Sequence, residues 1–101
     1  MPYFAVFNQA GAAWDATRPM REQQGWPEHA AFMDALAEDG FVRVGGPIGD
    51  GRPHRTMLIV EADSVEDIRS RFAADPWIAG SLLQITHIEP WTILLGDLSA
   101  A

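Results

Sequence analysis

Residues 3–7 are aromatic or β-branched with one alanine among them, a run that predicts a buried first strand. Over 27–39 the spacing changes. Phe32, Met33 and Leu36 recur at three and four residues, Pro27 suits a first helical turn and Gly40 the position just past a helix end. A helix is predicted there. Residues 41–44 read as a second strand, 45–53 as a loop rich in glycine and proline, and 56–62 as a third strand, so the second and third strands form a hairpin. Ser64 followed by Val65, Glu66 and Asp67 supplies a cap and two acids to a second helix. Its inward face is Val65, Ile68 and Phe72, and it must stop before Pro76. Residues 82–95 give a last strand interrupted at Pro90, which places that strand at an edge or puts a bulge there.

The order βαββαβ predicts one α+β domain over residues 1–101, ferredoxin-like, with a four-stranded antiparallel sheet and two helices on one face. The opposite face is left without helices. It is nonetheless apolar: Tyr3, Ala5 and Phe7 point away from Phe4 and Val6, and Met57 and Ile59 away from Leu58 and Val60. A second copy packed on that face, forming a homodimer and closing a sheltered cavity, is the economical cover. The connection over 8–26 is too long for an ordinary turn. Trp14 and Trp26, with a short helix ahead of Gly25, make it a partly ordered flap over a site.

Charge and composition narrow the chemistry. Fourteen acidic against seven basic residues leave a net charge of -7, which disfavours nucleic acid as a partner. Cysteine and lysine are both absent, removing thiolate nucleophiles, disulfides and Schiff bases. There is no apolar run of about 18 residues and no signal-peptide pattern, which reads as a cytoplasmic chain off the membrane. No metal or cofactor is expected. His29, His54 and His87 have no pairing at ligand spacing, and the glycines at 45, 46, 49 and 51 lie between strands instead of opening a helix.

His29 shares the inward stripe of Phe32 and Met33 at the first helical turn, where exposed N–H groups favour a neutral imidazole able to accept a proton. It is a candidate base; the plain alternative is a core histidine on a backbone carbonyl. Asp75 follows the second helix on the same sheet face and can orient His29, or simply cap a short turn through Trp77. Arg18 and Arg21 on the flap can fork onto an anionic ligand, and Trp14, Trp26 and Trp77 can wall a small-molecule pocket, although solvated arginines and core tryptophans read equally well.

Together, Trp14-Asp15, Arg21-Glu22-Gln23 through Trp26 to His29, Phe32-Met33-Asp34, Gly45-Gly46-Pro47, Asp75-Pro76-Trp77 and Glu89-Pro90-Trp91 resemble the YCII-related (YciI-like) family of the dimeric α/β barrel superfamily. The resemblance implies a subunit paired through its sheet, with a histidine and an aspartate at the site that map onto His29 and Asp75. It implies a cofactor-independent enzyme using that pair for proton transfer on a small aromatic or lactone-like acid, with Arg21 on an anionic group. A non-catalytic binding or sensing module, and a cofactor-free or haem-dependent oxygenase, are the other readings it leaves.

Overall fold

The computed structural model describes residues 2–98. The chain order is β1 (Tyr3–Ala10), a short 3-10 turn (Met20–Glu22), α1 (Trp26–Glu38), β2 (Val42–Ile48), β3 (Arg55–Glu61), α2 (Val65–Phe72), α3 (Pro76–Ala79) and β4 (Leu83–Trp91). The strands form one antiparallel sheet in the order β2-β3-β1-β4. This is the expected ferredoxin-like α+β arrangement, with α3 as an added turn.

Glycines and caps set the helix ends. Gly25 takes a left-handed φ of 77° ahead of α1, so Trp26 opens the helix and Pro27 takes its second position. Ser64 accepts a hydrogen bond from the Asp67 N–H at 3.1 Å and starts α2.

Two strands depart from the sequence reading. Gly45, Gly46 and Pro47, expected in a loop, continue β2 and pair with Leu58, Met57 and Thr56. An edge strand tolerates them, because one of its sides needs no partner. The last strand stops at Trp91 and not at residue 95, because Trp91 already pairs with Tyr3, the first residue of β1. Its irregularity lies at Thr86, between the pairs Phe7–His87 and Asn8–Ile85, while Pro90 is carried at the edge without one.

Leu36 of α1 and Ile68 and Phe72 of α2 pack onto Phe4, Val6, Leu58 and Val60, closing the core on one sheet face. The other face carries Tyr3, Ala5, Phe7, Met57 and Ile59, and Val44 and Trp91 there are 52% and 42% exposed. Arg43, bulged out of β2, donates to the Leu98 carbonyl at 2.8 Å, tying the chain beyond β4 back to the opposite edge.

Candidate active site

The flap is stitched by one buried glutamine. Gln23 donates to the carbonyls of Asp15 at 2.7 Å and Arg18 at 3.0 Å, and accepts from the Asp15 N–H at 2.9 Å. Further back, Gly11 and Ala13 hydrogen-bond to Leu82 and Ser81, and the Trp77 indole donates to the Gln24 carbonyl at 2.8 Å. A Cβ on Gly11 would run into the Ser81 carbonyl oxygen, so only glycine lets the flap leave β1 so close to the start of β4.

On this base sits the pair that the sequence singled out. His29 occupies the first turn of α1, and its Nδ1 lies 2.8 and 3.0 Å from the two carboxylate oxygens of Asp75. The His29 side chain is 12% exposed and that of Asp75 only 2%. Asp75 also caps α3, its Oδ1 accepting from the Trp77 N–H at 3.0 Å. Capping and orientation, weighed as alternatives in the sequence, are therefore performed together. The Trp77 ring lies flat beneath His29, with centroids 4.0 Å apart and planes 6° from parallel. A carboxylate accepts only, so Nδ1 must be the donor, and the neutral ring then keeps its lone pair on Nε2.

His29 lines a cavity of about 220 Å³ between α1 and the helix-side face of the sheet. Trp26, His29 and Met33 form its helix wall; Asn8, Thr56, Leu58 and Leu83, with the backbone of Gly45–Pro47, form its sheet wall; Met20 of the flap reaches in between. The cavity lies within one subunit, on the face opposite the one available to a second copy. This corrects the expectation that a twin subunit creates it, because the flap and α1 already provide its cover.

The remaining predicted residues divide. Trp26 lines the cavity, whereas Trp77 is buried under His29 as its platform. Trp14 lines a separate outer groove of about 700 Å³ together with Arg18, Arg52 and His54. Arg21 is exposed and lines neither space, its guanidinium standing 5.8 Å from the Trp26 ring. An anionic group in the cavity would thus find no arginine beside it.

His54 stacks on Trp14 with centroids 4.3 Å apart. Burial holds its pKa below the ordinary 6.5, and the nearby His29 lowers it further. Among the described residues, no group of three or more histidine, aspartate or glutamate side chains is arranged to hold a metal ion, and no helix is long and apolar enough to cross a membrane.

Residues 1–92 match the family model of the YCII-related domain. The chain belongs to the YCII-related family. No curated protein matches its sequence. The YCII-related chain is similar in structure to 5-chloro-2-hydroxyhydroquinone dehydrochlorinase from Burkholderia phenoliruptrix AC1100, solved in complex with 2,5-dihydroxybenzoquinone. The two are 24% identical over 89% of this chain and 93% of that one, with a TM-score of 0.63, a likeness of fold.

In this YCII-related domain three polar residues in one row escaped the sequence reading as a group: Asn8 and Thr56, which line the cavity, and His54, which lines the outer groove. A signal was present. Asn8 has the strand parity of Phe4 and Val6, and Thr56 that of Leu58 and Val60, so both are polar residues at inward positions.

Proposed function

We propose that this YCII-related domain is a cofactor-independent enzyme that moves protons on a small aromatic or lactone-like ring, with His29 as the base and Asp75 as the positioning residue. The observation that carries this reading is a buried carboxylate gripping Nδ1 of a histidine whose ring lines a ring-sized cavity. Asp75 fixes which nitrogen is basic and stabilises the imidazolium that forms. Nε2 takes a proton from the substrate while the electron pair it leaves moves into the conjugated ring. In an isomerisation the same nitrogen returns the proton at a second ring position; in an elimination it returns the proton to the ring carbon that bears the halide, a second ring hydroxyl then gives up its proton to solvent, and the electron pair released there passes through the ring and expels the halide as the quinone forms. The structural neighbour, named for dehydrochlorination of a hydroxylated ring, supports the second course. We further propose that two copies pair through the open sheet face, supported by Ala5, Phe7, Met57 and Ile59 there and by the half-exposed Val44 and Trp91, with Glu61, His87 and Glu89 as its polar members.

The test uses 5-chloro-2-hydroxyhydroquinone as substrate, following chloride release and solvent-deuterium incorporation. His29→Asn retains an N–H near the position of Nδ1 and lacks the base. Its expected rate is lower by about a hundredfold or more, with a melting temperature close to the wild type. An unchanged rate rejects His29 as the base. A wild type that binds the ring without chloride release or exchange is a binding module.

A further inference from the structure

Asn8 and Thr56 stand directly opposite each other on β1 and β3, and the Ala10 N–H bonds to the His54 carbonyl at 2.9 Å, continuing the same ladder. Asn8, Thr56 and His54 therefore form one row on the helix-side face, at the end of the sheet where the core gives way to the cavity. Asn8 is 5% exposed and His54 8%. Asn8 Oδ1, Thr56 Oγ1 and His54 Nε2 are all buried, and none has a hydrogen-bond partner in the protein. Folded proteins keep few such atoms, because each has lost water and gained nothing. Three in a row call for partners that the protein itself does not supply.

We propose that Asn8 and Thr56, the two members of this row that line the cavity, are its recognition edge and that they select a single ring bearing neutral hydroxyl or keto oxygens. The proposal deepens the catalytic reading above and rests on it for the placement of the ring against His29. Size, charge and donor pattern each point the same way. A dry cavity of about 150 Å³ is enough for benzene, so about 220 Å³ takes one substituted ring and not two. The lining contains no arginine, which leaves a carboxylate without a counter-charge. The asparagine oxygen only accepts, and the threonine hydroxyl accepts and donates. That set matches ring O–H and C=O groups. A turn about the last side-chain torsion of Asn8 or about χ1 of Thr56 presents either oxygen to a ligand in the space they line. His54, next in the row and stacked on Trp14 of the flap, faces the outer groove.

The probes are hydroquinone, which carries two neutral hydroxyls, and toluene, which carries none, titrated by ligand-observed NMR. The wild type is expected to prefer hydroquinone. Thr56→Val and Asn8→Leu, close in shape, each weaken hydroquinone by up to about tenfold and leave toluene unchanged. Thr56→Ser retains the hydroxyl and restores most of the hydroquinone affinity. Without ligand, Thr56→Val melts no lower than the wild type, because it removes an unpartnered hydroxyl. Equal affinity for the two probes, no hydroquinone binding, unchanged affinity in Thr56→Val, or a lower melting temperature in that variant would each overturn the proposal. Should Asn8→Leu not fold, the Thr56 pair of variants decides alone. Proton transfer is read from chloride release and deuterium incorporation and recognition from the hydroquinone affinity of the Thr56 variants, so a failure of the one and a failure of the other register in different measurements.

Discussion

Both carboxylate oxygens of Asp75 lie within 3.0 Å of Nδ1 of His29, across 46 residues of chain. One of those oxygens also receives the Trp77 N–H. Ring orientation and the start of α3 thus depend on the same carboxylate.

Substitutions at Asp75 separate the two roles. Asp75→Asn retains an oxygen for the Trp77 N–H and loses the charge that stabilises the imidazolium. Its stability should fall by about 1 kcal/mol or less, while turnover drops by about a hundredfold. Asp75→Ala removes the cap and the imidazole partner together, at about 2–3 kcal/mol, lowering the melting temperature by about 10 °C or more. Thermal melts alongside rates check this, and equal loss of stability in the two variants would remove the capping role.

His54 makes stability depend on pH. Its pKa is lower in the folded protein than the ordinary 6.5, so the unfolded chain binds the proton more readily. The contribution of this group is therefore complete above pH 6.5 and is lost progressively as the pH falls below it, down to the folded pKa. His54→Phe preserves a ring against Trp14 and cannot titrate. The difference in melting temperature between neutral pH and about pH 5.5 should be smaller in this variant than in the wild type. An equal difference assigns the pH dependence elsewhere.

Much of the fold and the central pair could be read from the chain, for physical reasons visible at particular residues. Phe32, Met33 and Leu36 mark a helix because their spacing is local, and His29 inherits its direction from them. The β2 extension through Gly45, Gly46 and Pro47 was hidden, because composition reads as loop until the strand is known to lie at an edge with Leu58 opposite. The row of Asn8, Thr56 and His54 depends on register between strands that are far apart in sequence, and no local pattern supplies register. The outward placement of Arg21 depends on how Gln23 folds the flap, which is likewise non-local.

Gln23→Ala removes three hydrogen bonds from the flap at one stroke. The expected cost is about 1–3 kcal/mol, with faster tryptic cleavage after Arg21, an exposed position ahead of the buried anchor. Digestion followed by mass spectrometry reads this directly. A cleavage rate equal to that of the wild type would mean that the backbone contacts of Gly11 and Ala13 suffice to hold the flap.

The open sheet face gives a test of assembly. The wild type should sediment as a dimer at micromolar concentration, and Val44→Glu, placing a charge beside Ile59 on that face, should sediment as a monomer with its fold intact. A monomeric wild type would remove the homodimer from the proposal without touching the cavity, which lies on the other side of the sheet.

The stacked rings form a continuous series, from His54 to Trp14, edge-on to Trp77, and from there to His29. Two of the protein's four indoles sit inside that series, one on the flap and one under the base. Any lifting of the flap must pull Trp14 off His54 and uncover the edge of Trp77 in the same movement. The molecule consequently carries its own optical reporter: intrinsic emission should follow cavity opening in real time, with no label attached.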